Sequence, residues 1–233
     1  MERKIIDIHS HVLPNVDDGS VSTANSIAIL KKAQEQGVSD MICTPHYRQN
    51  YKPTIEQLNS AFESFKKDIE IEDINVKIHL GQEIFVGNDI KNILSAGKVL
   101  PLADSKYLLV EVDFVEDTDI CEAVYQLKRM GYTVIVAHLE RYGYVDVDTA
   151  VEIKRAGGLI QVNAESIVKK YGRALKKKAM NLFKANLVDF VASDVHVERE
   201  YVMEKAYKKV TRKFGQKTAE NVFYFNAKKI IEG

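Results

Sequence analysis

Seven short apolar, β-branched runs recur along the chain, separated by longer stretches with helical periodicity, and this alternation restricts the fold more than any other feature. The runs are Lys4–His9, Asp40–Thr44, Val76–Leu80, Tyr107–Val112, Thr133–Ala137, Leu159–Val162 and Val188–Ser193. Each has strand length and is bounded by turn or polar residues. Helical patterns cover Ser22–Gln36, Thr54–Asp68, Asp119–Met130, Val147–Ala156, Arg173–Ala185, Glu198–Phe214 and Gln216–Ile231. The first, third and fourth end at Gly37, Gly131 and the Gly157-Gly158 pair, as helix C-caps do. Strand–helix alternation implies parallel strands joined by right-handed crossovers. The expected fold is therefore α/β, a distorted (β/α)7 barrel one unit short of the TIM type. An open doubly wound sheet is the alternative.

A chain of 233 residues buries enough core for such a barrel without disulfides or a structural metal. No linker-like stretch or shift in composition divides it, so residues 1–233 are read as a single domain. The 33 basic and 33 acidic residues cancel, which argues against a nucleic-acid partner. No apolar run approaches the ~18 residues that a membrane span needs. Cys43 and Cys121 form no CxxC pair, and no apolar leader is present, so a cytoplasmic location is expected. Other catalytic classes lack their motifs: there is no GxSxG elbow and no phosphate-binding P-loop. Cys43 is read as a core residue, because only four residues separate it from Arg48, one too few for a thiol-phosphatase loop.

The strand ends carry the chemistry. They read Asp7-Ile8-His9-Ser10-His11 with Asp17-Asp18-Gly19 in the following loop, then Thr44-Pro45-His46, Gly81-Gln82-Glu83, and Glu111 or Asp113. Ala137-His138-Leu139-Glu140-Arg141, Gln161-Val162-Asn163 and Ser193-Asp194-Val195-His196 complete the set. Five of the six histidines lie at these ends, while His79 sits mid-strand and is read as structural. In a barrel such positions converge on one face. Carboxylates gathered there without cations would repel one another and take up protons, so bound divalent ions are expected. Imidazole and carboxylate suit Zn2+, Mn2+, Fe2+ or Co2+. Of the adjacent Asp17 and Asp18, one is expected to face inward, and Asp18 is chosen. Glu140 is expected in solvent beside Arg141, and Asn163 either orients a ligand or satisfies backbone groups. Tyr47, Tyr51, Tyr142 and Tyr144 are candidates to flank an aromatic substrate. Lys169, Lys170, Arg173, Lys176, Lys177 and Lys178 form a basic cluster, read as a solvated helix face or a dock for an acidic segment.

These motifs, in this order along nearly the whole chain, resemble the polymerase-and-histidinol-phosphatase (PHP) superfamily. Asp17-Asp18-Gly19, Gly81-Gln82-Glu83-Ile84 and Ala137-His138-Leu139-Glu140-Arg141-Tyr142 are similar, more narrowly, to the bacterial tyrosine-protein phosphatases of capsule and exopolysaccharide loci. The resemblance implies a PHP-type barrel with two or three Mn2+ ions. It assigns His9, His11, Glu83 and Asp194 to the first ion, and Glu83, Glu111 and His138 to the second. Asp18, His46 and His196 would take the third. It further implies that Arg141 grips the substrate phosphate. Arg199 is a second candidate, in a Val197-Glu198-Arg199-Glu200 loop that is shorter and less proline-rich than the family pattern. The implied substrate is the phosphorylated, tyrosine-rich tail of a partner kinase, attacked by a metal-activated water. Hydrolysis of a small phosphomonoester such as histidinol phosphate is the competing expectation.

Overall fold

In the computed structural model, residues 4–87, 89–168 and 170–233 are described. The strands are β1 (Ile5–Ser10), β2 (Val38–Cys43), β3 (His46–Tyr47), β4 (Lys77–Leu80), β5 (Glu83–Phe85), β6 (Tyr107–Glu111), β7 (Thr133–Val136), β8 (Leu159–Asn163) and β9 (Phe190–Ala192). The helices are α1 (Thr23–Glu35), α2 (Ile55–Ile71), α3 (Ile90–Ser95), α4 (Ile120–Arg129), α5 (Val147–Ala156), α6 (Ala164–Val168), α7 (Gly172–Lys184), α8 (Met203–Phe214), α9 (Gln216–Glu220) and α10 (Asn226–Ile231). Hydrogen bonding orders the strands β1-β2-β4 and β3-β5-β6-β7-β8-β9, every pair parallel. This is the expected α/β barrel, with two of its seven strands broken.

The breaks fall side by side. Thr44-Pro45 interrupts one strand between β2 and β3, and Gly81-Gln82 interrupts its neighbour between β4 and β5. Cys43 pairs with Leu80 before the break and His46 with Glu83 after it, so both strands bend together without slipping register. Gly81 N–H donates to the Cys43 carbonyl at 2.9 Å, and Glu83 N–H to that of Pro45 at 3.2 Å. A side chain at Gly81 would stand 2.9 Å from the Leu102 Cα, so the close backbone crossing there demands glycine. The barrel closes between β9 and β1: Asp194 N–H donates to the His9 carbonyl at 2.9 Å and His11 N–H to that of Val195 at 3.1 Å.

Alternation sorts the strand residues into an inner and an outer set. Ile6, Ile8, Ile42, Leu109, Ile135 and Phe190 form one buried cluster, while Ile5, Met41, Cys43, Val110, Val134 and Val191 belong to the larger core beneath the helices. Cys43 thus packs in the core as expected. Ala227 and Ile230 of α10 join the inner cluster. Asn226 donates to the carbonyl of Asp189, just before β9, at 2.9 Å, which anchors this helix at the end of the barrel where the strands begin. The expected helix over Gln216–Ile231 is present, with a wide π turn at Asn221–Phe225 between α9 and α10.

Local signals fix the helix starts. Ser22, Asp119 and Asp146 cap α1, α4 and α5, and Thr54 with Gln57 forms a reciprocal capping box on α2. The expected helix over Glu198–Phe214 begins only at Met203. Residues 199–201 are held elsewhere: Arg199 on Asp194, and the Tyr201 hydroxyl on the buried Asp7 at 2.7 Å. Among the described residues, no helix is long and apolar enough to cross a membrane.

Ile230 is fully buried against the barrel interior. Ile230→Ala is expected to cost about 2–5 kcal/mol of stability, read as a lower urea midpoint with an unchanged slope. A midpoint equal to that of the parent protein would show that α10 does not seal the interior.

Candidate metal centre and active site

The inner face changes from apolar to polar through one irregularity in β1. Asp7 pairs with Met41 and Ser10 with Cys43, so β1 spends one more residue than β2 over the same step. Such a bulge inverts the alternation beyond it. Ile6 and Ile8 face inward before it, and His9 and His11 face inward after it. His46 enters from β3, Glu83 from β5, Glu111 from the end of β6 and His138 from the turn after β7. Asp194 and His196 follow β9, and Asp18 reaches in from the loop after β1. All nine sequence candidates thus meet at the mouth where the strands end.

Their ligand atoms fall into three groups, within 4.8 Å of one another in each: His9, His11 and Glu83; His46, Glu83 and Glu111; and His11, Asp18, His46 and His196. Asp194 Oδ1 adjoins the first, 3.6 and 3.5 Å from the Nε2 atoms of His9 and His11. His138 adjoins the second, its Nε2 2.8 Å from Glu83 Oε1 and 4.0 Å from Glu111 Oε2. Glu83 is common to two groups, as a bridging carboxylate would be. The grouping differs from the expected partition in one respect: His46 and His11 each stand between two groups. Of the other candidates, Asp113 is turned away and accepts the backbone N–H groups of Val115 and Glu116. His79 pairs with Asp40 at 3.0 Å, apart from the cluster.

The protein's own charges leave this cluster out of balance. Burial would raise the Glu83 carboxyl, but His9, His11, His138 and His46 together hold it well below its ordinary range. Burial and the Glu83 charge push Glu111 up to about 9. Burial and the neighbouring His11 push His196 down to about 4. Burial likewise opposes a charge on His11, yet Asp17 and Glu83 raise it well above the usual imidazole value. Glu111 Oε1 is buried without a hydrogen-bond partner, and the buried His46 Nδ1 makes no well-aligned hydrogen bond although it lies 3.0 Å from Glu83 Oε2. Divalent ions suit this donor set: they would occupy the orphaned atoms, offset the carboxylates and match an oxygen-and-imidazole cage.

Outer partners orient the candidate ligands. Gln161 Oε1 lies 3.1 Å from His9 Nδ1 and accepts the backbone N–H of His138 at 2.8 Å. Gln161 Nε2 donates to Asn163 Oδ1, and Asn163 Nδ2 donates to Asp194 Oδ2 at 2.7 Å. Two inward amides of β8 therefore aim three candidate ligands, and the Asn163 side chain is spent on one of them, Asp194. Both aspartates of the first loop face inward, not one. Asp17 Oδ2 lies 2.7 Å from His11 Nδ1 and accepts the His46 N–H at 3.0 Å, while Asp18 turns to the third group. The loop can fold this tightly because Gly19 lies against His11; a Cβ there would be 2.2 Å from the His11 carbonyl oxygen. His138 and Asp194 hold left-handed backbone angles, φ 35° and 50°. Non-glycine residues pay about 1–3 kcal/mol for such angles, which persist where the surroundings over-determine them.

The cleft above the cluster has a volume of about 140 Å3, and Arg48, Arg141 and Arg199 line it. Each lies on an aromatic ring: Arg141 on Phe114 at 4.6 Å, Arg48 on Tyr51 at 5.4 Å and Arg199 on Tyr171 at 5.6 Å. Arg141 and Arg199 both reach Asp194 Oδ2, at 3.2 and 2.9 Å. Glu140 corrects its expectation. It is fully buried, accepts the Asn163 N–H and the Ser166 hydroxyl, and pins the Arg141 turn to β8. Burial raises its carboxyl to about 7. Tyr47 and Tyr142 are buried, Tyr142 with its ring 5.8 Å from that of His138, and Tyr144 donates to the Asp113 carbonyl, which leaves Tyr51, 6.2 Å from His46, as the half-buried tyrosine beside the cluster. In the basic cluster Lys170 pairs with Glu200 and Lys178 donates to the Tyr142 carbonyl; Lys169 lies outside the described residues. Arg48 was not among the expected site residues, and Gln161 and Asp17, though within the strand-end motifs, were given no role in the expected ligand set. Arg48 had a signal, standing two residues after His46 on the same strand end.

Residues 5–232 match the family described as capsular polysaccharide synthesis, CpsB/CapC. The chain belongs to this family. The tyrosine-protein phosphatase YwqE of Bacillus subtilis is 32% identical over 216 residues, 87% of this chain and 85% of that one. The tyrosine-protein phosphatase CpsB of Streptococcus agalactiae is 31% identical over 241 residues, 98% of both chains. Among solved structures, work on YwqE from Bacillus subtilis and CpsB from Streptococcus pneumoniae, described as unique metal-dependent tyrosine phosphatases, provides a match with TM-score 0.91 at 30% identity, covering 98% of this chain and 94% of that one. A histidinol phosphate phosphatase from Lactococcus lactis shares the fold, with TM-score 0.59 at 14% identity over 91% of this chain and 93% of that one. The CpsB/CapC likeness thus extends over the whole barrel and every element that carries the cluster.

To bind an ion, Glu111 and His11 must first lose their protons. Affinity for divalent ions is therefore expected to rise from pH 6 toward 9, with proton release on binding. Calorimetry in buffers of different ionisation enthalpy measures both. A flat profile without proton release would contradict the site described.

Proposed function

We propose that this chain is a metal-dependent protein-tyrosine phosphatase that holds two or three Mn2+ ions among His9, His11, Asp18, His46, Glu83, Glu111, His138, Asp194 and His196. We place it in the cytoplasm, acting on the phosphorylated, tyrosine-rich tail of a kinase that controls capsule or exopolysaccharide synthesis. One observation carries the reading: a histidine–carboxylate cluster with orphaned donor atoms opens into a cleft lined by three arginines. The names of the CpsB and YwqE relatives support the substrate class.

Divalent ions, when bound, supply a nucleophilic water at neutral pH and charge stabilisation at the phosphoryl group. The protein supplies the rest. Arg141 and Arg199 converge from two loops on one side of Asp194 and present planar forks that match phosphate oxygens. Phe114 and Tyr171 brace these guanidiniums, so less side-chain freedom is lost when they grip substrate. Gln161 fixes the His9 ring and the His138 backbone, keeping both imidazoles in place. A covalent thiol route is not available to Cys43, which is buried in the outer core and whose thiol burial pushes well above its usual value.

Turnover of a phosphotyrosine peptide is expected with Mn2+ and lost on chelation, with histidinol phosphate a poor substrate. His138→Ala and Asp194→Ala are expected to abolish turnover. Arg141→Ala should lower kcat/KM by about 100- to 1,000-fold, the usual loss for one charge-stabilising donor. Preference for histidinol phosphate would keep the cluster but reassign the substrate, and full activity of either ligand variant would refute the site.

A further inference from the structure

We infer that Arg48 is a positioning residue that holds Asp18 in place for the third ion group and ties that group to Glu111. The inference rests on the metal-dependent reading above. Asp18 is the weak point of its group. Its side chain is 38% exposed, against 6% for His46 and 16% for His196, and it stands on a loop, not a strand. Its Oδ1 faces His46 Nε2 at 3.5 Å and His196 Nε2 at 3.8 Å, too far for either ring to fix it firmly by hydrogen bonding. The fixing contact is on the other oxygen, where Arg48 Nη2 donates to Oδ2 at 2.6 Å. One carboxylate oxygen is thereby anchored and the other is left facing the two imidazoles.

The same guanidinium reaches the second group. Its Nη1 lies 3.8 Å from Glu111 Oε1, the buried oxygen without a hydrogen bond. Arg48 is itself braced. Its N–H donates to the Tyr51 carbonyl at 2.8 Å, and Tyr51 N–H returns a bond to the Arg48 carbonyl at 2.9 Å. The guanidinium rests on the Tyr51 ring, and that ring is also stacked on His46 at 6.2 Å and 23°. His46, Arg48 and Tyr51 therefore form one unit carrying a candidate ligand, the anchor of a second ligand and the platform under both. An exposed carboxylate that must be immobilised on binding loses affinity, and pre-ordering it removes that cost. Partners that orient ligands in this way typically contribute 10- to 100-fold in metal affinity.

The test is calorimetric titration of the chelator-treated protein with Mn2+, for the parent chain, Arg48→Gln and Arg48→Lys, alongside thermal melting of each metal-free form. Arg48→Gln is expected to keep its melting temperature while one binding event weakens by about 10- to 100-fold. Arg48→Lys keeps the charge without the fork and should fall between the two. Unchanged affinities in both variants would overturn the inference. So would tighter binding in Arg48→Gln, which would mean that the guanidinium competes with the ion. A parent chain that binds no Mn2+ would instead overturn the metal-dependent reading, and the inference with it.

Discussion

The Glu83 carboxylate lies within 3.3 Å of a ring nitrogen on each of four histidines, His9, His11, His46 and His138. A buried carboxylate in an α/β barrel is costly to charge unless positive or polar groups surround it. Here the surrounding groups come from β1, β3 and the turn after β7, so this one side chain sets where three segments of the barrel must converge. The bulge in β1, the paired breaks at Pro45 and Gly81, and the left-handed turn at His138 are each the local distortion that brings a histidine to it. A regular barrel would keep strict alternation and would not place His9 and His11 on the inner face above Ile6 and Ile8.

How far the sequence could be read follows from the same point. Strand and helix positions depend on periodicity, which survives in short windows, and the convergence of the candidate residues depends on residue type at strand ends. Both are local, and both were legible. What escaped depends on contacts distant in sequence. Glu140 looks solvated beside Arg141, but its burial is decided by Asn163 and Ser166 on the next strand unit. The expected helix start near Glu198 is overridden by Asp194 and Asp7, which hold Arg199 and Tyr201 in an irregular segment before the helix. Short elements such as α3 and α6 carry too few turns for a periodic signal, and β5 is split from β4 by a glycine that reads as an ordinary strand end. Asp17 was set aside because neighbouring residues normally diverge, a rule that the tight turn at Gly19 breaks.

The inner amides Gln161 and Asn163 extend the logic of the centre one layer outward. Neither residue type announces itself in a sequence, since buried amides more often satisfy backbone groups. Here they form a relay along β8 that joins His9, His138 and Asp194, so a strand without a candidate ligand of its own orients candidates carried by three others. The geometry of the cluster is thus a property of the closed barrel and not of any one loop.

That closure has a temporal side. Asp7 and Ser193, which meet at the seam, are 186 positions apart. Contacts so distant form late, because the chain between them must be ordered before they are rewarded. During synthesis the strand bearing His9 and His11 emerges well before Asp194 and His196, which follow it by about 185 residues. For that interval the nascent protein carries half of a charged cluster on an unpaired strand edge. The seam is thus where segments far apart in the sequence become a single site.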